Sequence, residues 1–92
     1  MASFFTQVLG EFLGCLLLVL SVFVSNGNAF VIGGTLAFII LLIGPISGAS
    51  VNPAIALASL IKGDLDTTTA SSFIAAEILG SVVAAYSYMY FS

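Results

Sequence analysis

The sequence has no histidine, no tryptophan and no arginine, a single cysteine and five charged side chains among 92 residues: Glu11, Lys62, Asp64, Asp66 and Glu77. Each shortage removes a class of function. One cysteine makes neither a disulfide framework nor a cysteine metal cluster within the chain, so Cys15, set in an apolar run, reads as a small packing residue. No metal or other cofactor is expected. Without histidine, catalysis would rest on Glu11 or Glu77, neither of which has a visible partner, and an enzyme is not expected. One lysine does not neutralise a run of phosphates, which excludes nucleic acid as a partner. Five charges also do not clothe a soluble domain of this size. The 61% hydrophobic content argues against disorder and leaves the lipid bilayer as the solvent.

What is present falls into long apolar runs. Residues 4–24, FFTQVLGEFLGCLLLVLSVFV, match one bilayer crossing if helical. The turn signal SNGN follows, then a second, shorter crossing over about 29–46. The polar linker KGDLDTTT precedes a third crossing over about 70–91, which ends in Tyr86, Tyr88 and Tyr90, residues suited to the membrane interface. The first crossing lacks the basic start of a cleaved leader, and Glu11 interrupts it, so no cleavage is expected. Small residues recur at four-residue spacing: Gly10 and Gly14 on the first crossing, and Ala76, Gly80 and Ala84 on the third. Each set predicts a stripe of close helix packing, a pattern found in many membrane bundles.

Between the second and third crossings the apolar run is punctuated by GPISGASVNPAIALA, residues 44–58. Asn52 is placed to cap a helix with Pro53 at its first position, where a missing N–H costs nothing. A helix from Pro53 to Ile61 rises roughly 13 Å. The hydrocarbon core is about 30 Å thick, so such a helix goes halfway and stops. The expectation is a re-entrant element over about 47–61, with Pro45 ending the second helix and Gly44 and Gly48 permitting tight turns. Irregular backbone survives at membrane depth only where protein or a watery cavity satisfies it. Carbonyls of Ile46, Ser47, Gly48, Ala49 and Ser50 would then line a path that meets the Asn52 amide at a positive helix end. Taken as residues alone, the same stretch also fits an ordinary interhelical loop.

The wider segment SGASVNPAIALA closely resembles the half-membrane segment of the aquaporin and aquaglyceroporin (major intrinsic protein) family. GEFLGCLLLVL, AFVIGGTLAF and FIAAEILGSVVAAY resemble the three full helices of one half of that family, in order. The resemblance implies an all-α membrane protein: one aquaporin-like half, residues 1–92, of three transmembrane helices plus a re-entrant half-helix after the second. Family members carry two inverted halves and two Asn-Pro-Ala boxes; this sequence carries one. Ile55 follows Ala54, Ser50 precedes Val51 where His is often found before the box, and Glu77 stands where Gln is usual. Ile32 falls near a filter position that is often aromatic.

The resemblance further implies a passive channel for water, with small neutral solutes such as glycerol as the second candidate. Asn52 would donate to the permeant oxygen, and Pro53 and Ala54 would fix the half-helix. Glu11 would buttress the box loop, with Glu77 doing similar work or sitting beside a polar crevice. One half does not enclose a pore. The expected partner is therefore a second copy in an antiparallel homodimer, or a separate complementary half, within a possible tetramer of pores. The topology signal is weak: Lys62 alone draws its side inward. The expected location is integral and multi-pass, in the plasma or cell membrane. The alternative is a non-conducting membrane subunit or a truncated channel product.

Overall fold

The computed structural model describes residues 2–92 and is helical throughout its regular structure. Helix α1 runs Phe4–Val24, α2 Ala29–Ser47, α3 Pro53–Lys62 and α4 Thr67–Phe91. Helices α1, α2 and α4 are each long and apolar enough to cross a membrane, while α3 is a short apolar helix. At 1.5 Å per residue the ten residues of α3 rise about 15 Å, half a hydrocarbon core. The chain measures 38 Å along its long axis and 24 Å along the other two.

Each helix start follows from its cap. The Ser3 hydroxyl accepts from the Thr6 N–H, and the Asn28 side chain accepts from Phe30 and Val31. Asn52 opens α3 with Pro53 in its first turn, and Asp66 opens α4 by accepting from the Thr69 N–H at 2.7 Å. That last cap places Thr67–Thr69 in the helix, so α4 starts three residues before the expected Ala70.

The second helix differs from the sequence expectation in a more informative way. Pro45 does not end it, and Gly44 makes no turn; both lie within α2. Proline deletes one backbone donor, but its fixed φ is helical. The residue before it is Gly44, whose missing Cβ eases the pre-proline clash. The helix stops instead at Gly48, which adopts a left-handed φ of 88° and donates its N–H to Gly44 O at 2.9 Å. Ile46 and Ser47 are therefore helical, and the irregular backbone before Asn52 is confined to Gly48–Val51.

Helix α1 is the shared partner of α2 and α4, and α3 packs on α4. The small-residue stripes lie at these contacts. A Cβ at Gly10 would stand 3.2 Å from the Ile43 side chain on α2. Gly80 on α4 faces the Phe12 carbonyl of α1 so closely that a Cβ would overlap it. Ala76 and Ala84 are buried on the same face of α4. Outward, the helices expose large apolar side chains such as Phe30, Leu41 and Ile61, as a lipid-facing surface requires.

Candidate functional site

The irregular segment between α2 and α3 holds an unusual backbone. Gly48, Ala49 and Val51 all have positive φ, at 88°, 51° and 43°. Glycine accepts this freely; a β-branched residue there is a genuine outlier, and such strain persists only where the surroundings enforce it.

The enforcement comes from α1. The Val51 N–H donates to Glu11 Oε1 at 2.8 Å, and the Ser47 hydroxyl donates to Glu11 Oε2. Ser47 Oγ in turn accepts from the Ala49 N–H at 3.2 Å. One fully buried carboxyl thus ties the end of α2 to the last residue before Asn52. The Val51 side chain packs with Cys15, Ile39, Ile43 and Ala49 in the apolar core. Gly14 leaves the room for it: a Cβ there would lie 2.6 Å from Val51 Cγ1. The buried Glu11 carboxyl and the missing side chain at Gly14 are what hold this irregular backbone against α1.

Asn52 follows in extended backbone. Its side-chain oxygen accepts from the Ala54 N–H at 2.8 Å, which fixes the carboxamide at the head of α3. Its NH2 group makes no hydrogen bond among the described residues, and the residue is exposed. The first N–H groups of α3 and the aligned peptide dipoles make this end positive. Chemically, the arrangement presents a donor and a positive helix end beside irregular backbone at Gly48, Ala49 and Ser50.

The other expected residues distribute unevenly. Pro53 and Ala54 form the first turn of α3. Gly48 is exposed, Ser50, Ile46 and Ser47 are half-buried, and Ala49 is buried. Glu77, on α4, is completely buried near Glu11 and the Asn52 backbone N–H. Ile32 is not gathered here; it lies half-buried in the first turn of α2, about four turns before Ser47. Among the described residues no group of three or more His, Cys, Asp or Glu is placed to hold a metal ion.

Two participants escape sequence reasoning. Val51 reads as one more apolar residue, and nothing in its type announces a left-handed φ. Ser47 reads as the source of a carbonyl acceptor for a path, whereas its hydroxyl links Glu11 to the loop. The available signal for both was Glu11 itself, because a buried carboxylate needs donors and the polar loop is where donors are free.

Comparison with known proteins supplies the lineage. The Lens fiber major intrinsic protein of Gallus gallus is 35% identical over 95 residues, covering 91% of this chain and 36% of that protein. The Glycerol uptake facilitator protein-like 6 of Lactiplantibacillus plantarum is 35% identical over 86 residues, covering 85% of this chain and 40% of its own length. The chain therefore spans well under half the length of these relatives. No solved structure gives a significant match. The sequence profile for "Major intrinsic protein" matches residues 23–91, from the end of α1 through the box loop and α3 to the last residue of α4. With three membrane-crossing helices and that match over most of its length, the chain is an integral membrane protein that belongs to the major intrinsic protein family.

Proposed function

We propose that the chain is one half of a passive transmembrane channel for water and small neutral solutes, completed by a second half. The observation that carries this reading is Asn52: an exposed amide donor, clamped by its own cap bond, at the positive end of a helix too short to cross. In a completed pore the Asn52 NH2 donates to the oxygen of the permeant. Carbonyls of Gly48, Ala49 and Ser50 accept its hydrogens, and the helix end repels cations and relayed protons. Pro53 and Ala54 set the start of the helix; Glu11 holds the loop that presents Asn52.

The completing half is a second copy in the opposite orientation, which recreates an inverted repeat about the membrane midplane. A separate complementary half is the rival partner, and several such pores gathered as a tetramer is the larger assembly. Water is the first permeant and a small polyol the second. One relative is a glycerol uptake facilitator protein-like protein, and the chain contributes no arginine to narrow a filter, with Ile32 offered to it instead. The plasma or cell membrane is the proposed location.

The test is osmotic shrinkage of vesicles containing the purified chain, by stopped-flow light scattering, against Asn52→Leu at equal incorporation and assembly state. Fast shrinkage lost in the variant supports the self-sufficient pore. Shrinkage at the rate of bare lipid, in a folded sample, overturns it and favours a complementary half or a non-conducting subunit.

A further inference from the structure

Glu77 is the one buried charged-type side chain to which the proposed pore assigns no settled work. It is 0% exposed, and neither carboxyl oxygen has a hydrogen-bond partner. A buried polar group left this way needs an explanation. The polar groups beside it are the Glu11 carboxyl and Cys15 on α1 and the Asn52 backbone N–H in the loop, which makes no hydrogen bond to it. Helix α2 carries no titratable side chain. The sole cation, Lys62, lies exposed and paired with Asp64 at 3.1 Å.

The hydrogen-bond inventory decides what Glu77 is. Glu11 already accepts at both oxygens, from Val51 N–H and Ser47 O–H, which makes it the acceptor of this cluster. A second carboxylate beside it would add another acceptor with nothing to give, in surroundings without a cation. A carboxylic acid has the missing donor. We propose that Glu77 is a proton-binding site: it is held as the neutral acid and donates to Glu11. The proton is the only ligand, taken from water and returned to it. Glu77 is then a positioning residue: its proton joins α4 to the Glu11 carboxyl through which α1 grips the Val51 N–H. Withdrawing the proton places two negative charges side by side, which pushes Glu11 away from α4 and loosens its hold on the Val51 N–H.

The experiment uses the full chain in lipid nanodiscs, with 13C-carboxyl-labelled glutamate, and reads two signals across a pH titration. Infrared spectroscopy follows the carbonyl stretch of a protonated carboxylic acid; amide exchange follows Val51 and Asn52. At neutral pH the wild type shows the acid band, which disappears reversibly on alkalinisation. Exchange at Val51 then rises by about tenfold beyond the base-catalysed rise common to all amides, as expected for one lost hydrogen bond. Glu77→Gln lacks the band and shows no extra rise, because its NH2 supplies the donor without titrating. Glu11→Gln keeps the acid band, which assigns it to Glu77 without relying on one variant. A wild-type spectrum with carboxylate bands alone at neutral pH overturns the proposal. So does a Val51 exchange profile identical in wild type and Glu77→Gln. No readout requires solute flow, so this proposal and the channel stand or fall separately.

Discussion

At the scale of residues, the loop before Asn52 is a contest between local strain and tertiary grip. The left-handed φ of Val51 costs on the order of 1 kcal/mol or more. Burying its side chain returns about 1.5–3 kcal/mol, and the bond to Glu11 adds to that. Packing therefore wins, and Val51→Gly is expected to destabilise the fold despite relaxing the backbone. Thermal unfolding in detergent measures this; a stabilised variant would show that strain dominates. Glu11→Leu leaves the Val51 N–H buried without an acceptor, a loss of about 1–3 kcal/mol by the same measurement. It is also expected to lower any solute flux in proportion to the displaced loop. Glu11 was legible in the sequence because a carboxylate within an apolar run is conspicuous and demands partners. Val51 was not, because its conformation is imposed from outside by Glu11, Gly14 and the core, and local sequence carries no trace of that.

At the scale of elements, close approach of α4 to α1 depends on the absence of a side chain at Gly80. Gly80→Ala drives a methyl group into the Phe12 carbonyl, and backbone does not yield as a flexible side chain does. A cost of about 1–3 kcal/mol and a looser α1–α4 contact are expected, seen as faster amide exchange along α4. The start of α4 answers to pH. Thr69 N–H donates to Asp66, and that bond holds the Asp66 carboxyl below its usual range. The folded form therefore binds the proton less well than the unfolded chain does. The cap is intact above the ordinary aspartate range and is lost as pH falls through the lowered value. Acidification should fray the first turn, reported by the Thr69 amide, and Asp66→Asn should keep the cap and abolish the pH dependence. The helices themselves were largely legible from apolar runs and caps. The passage of α2 through Pro45 was not, since proline is a stop signal by rule, and only Gly44 before it and the Gly48 cap after it explain why the helix continues.

At the scale of the whole molecule, half a channel raises the question of orientation. The Lys62–Asp66 linker lies on one side of the membrane and Ser92, at the far end of α4, on the other. Adding positive charge selectively should fix either orientation. Asp64→Arg strengthens the linker side; Lys62→Ser with Ser92→Arg moves the bias to the opposite side. If identical antiparallel copies form the pore, each variant alone is silent in osmotic assays and the co-expressed pair conducts. Conduction by either variant alone at wild-type level would rule out the antiparallel pair. No sequence pattern in a single copy names its partner.

Pro45 has one more effect, on depth. Its ring nitrogen does not return a hydrogen bond to the Leu41 carbonyl, and Leu41 is 79% exposed on the outer surface of α2. A bare carbonyl in hydrocarbon is costly. Ser47 lies six positions further on, roughly 9 Å along the axis. Water or headgroups at Leu41 would lower that cost, so this turn of α2 is expected to sit near the membrane surface. One missing amide is thereby expected to bias how deep the whole bundle sits.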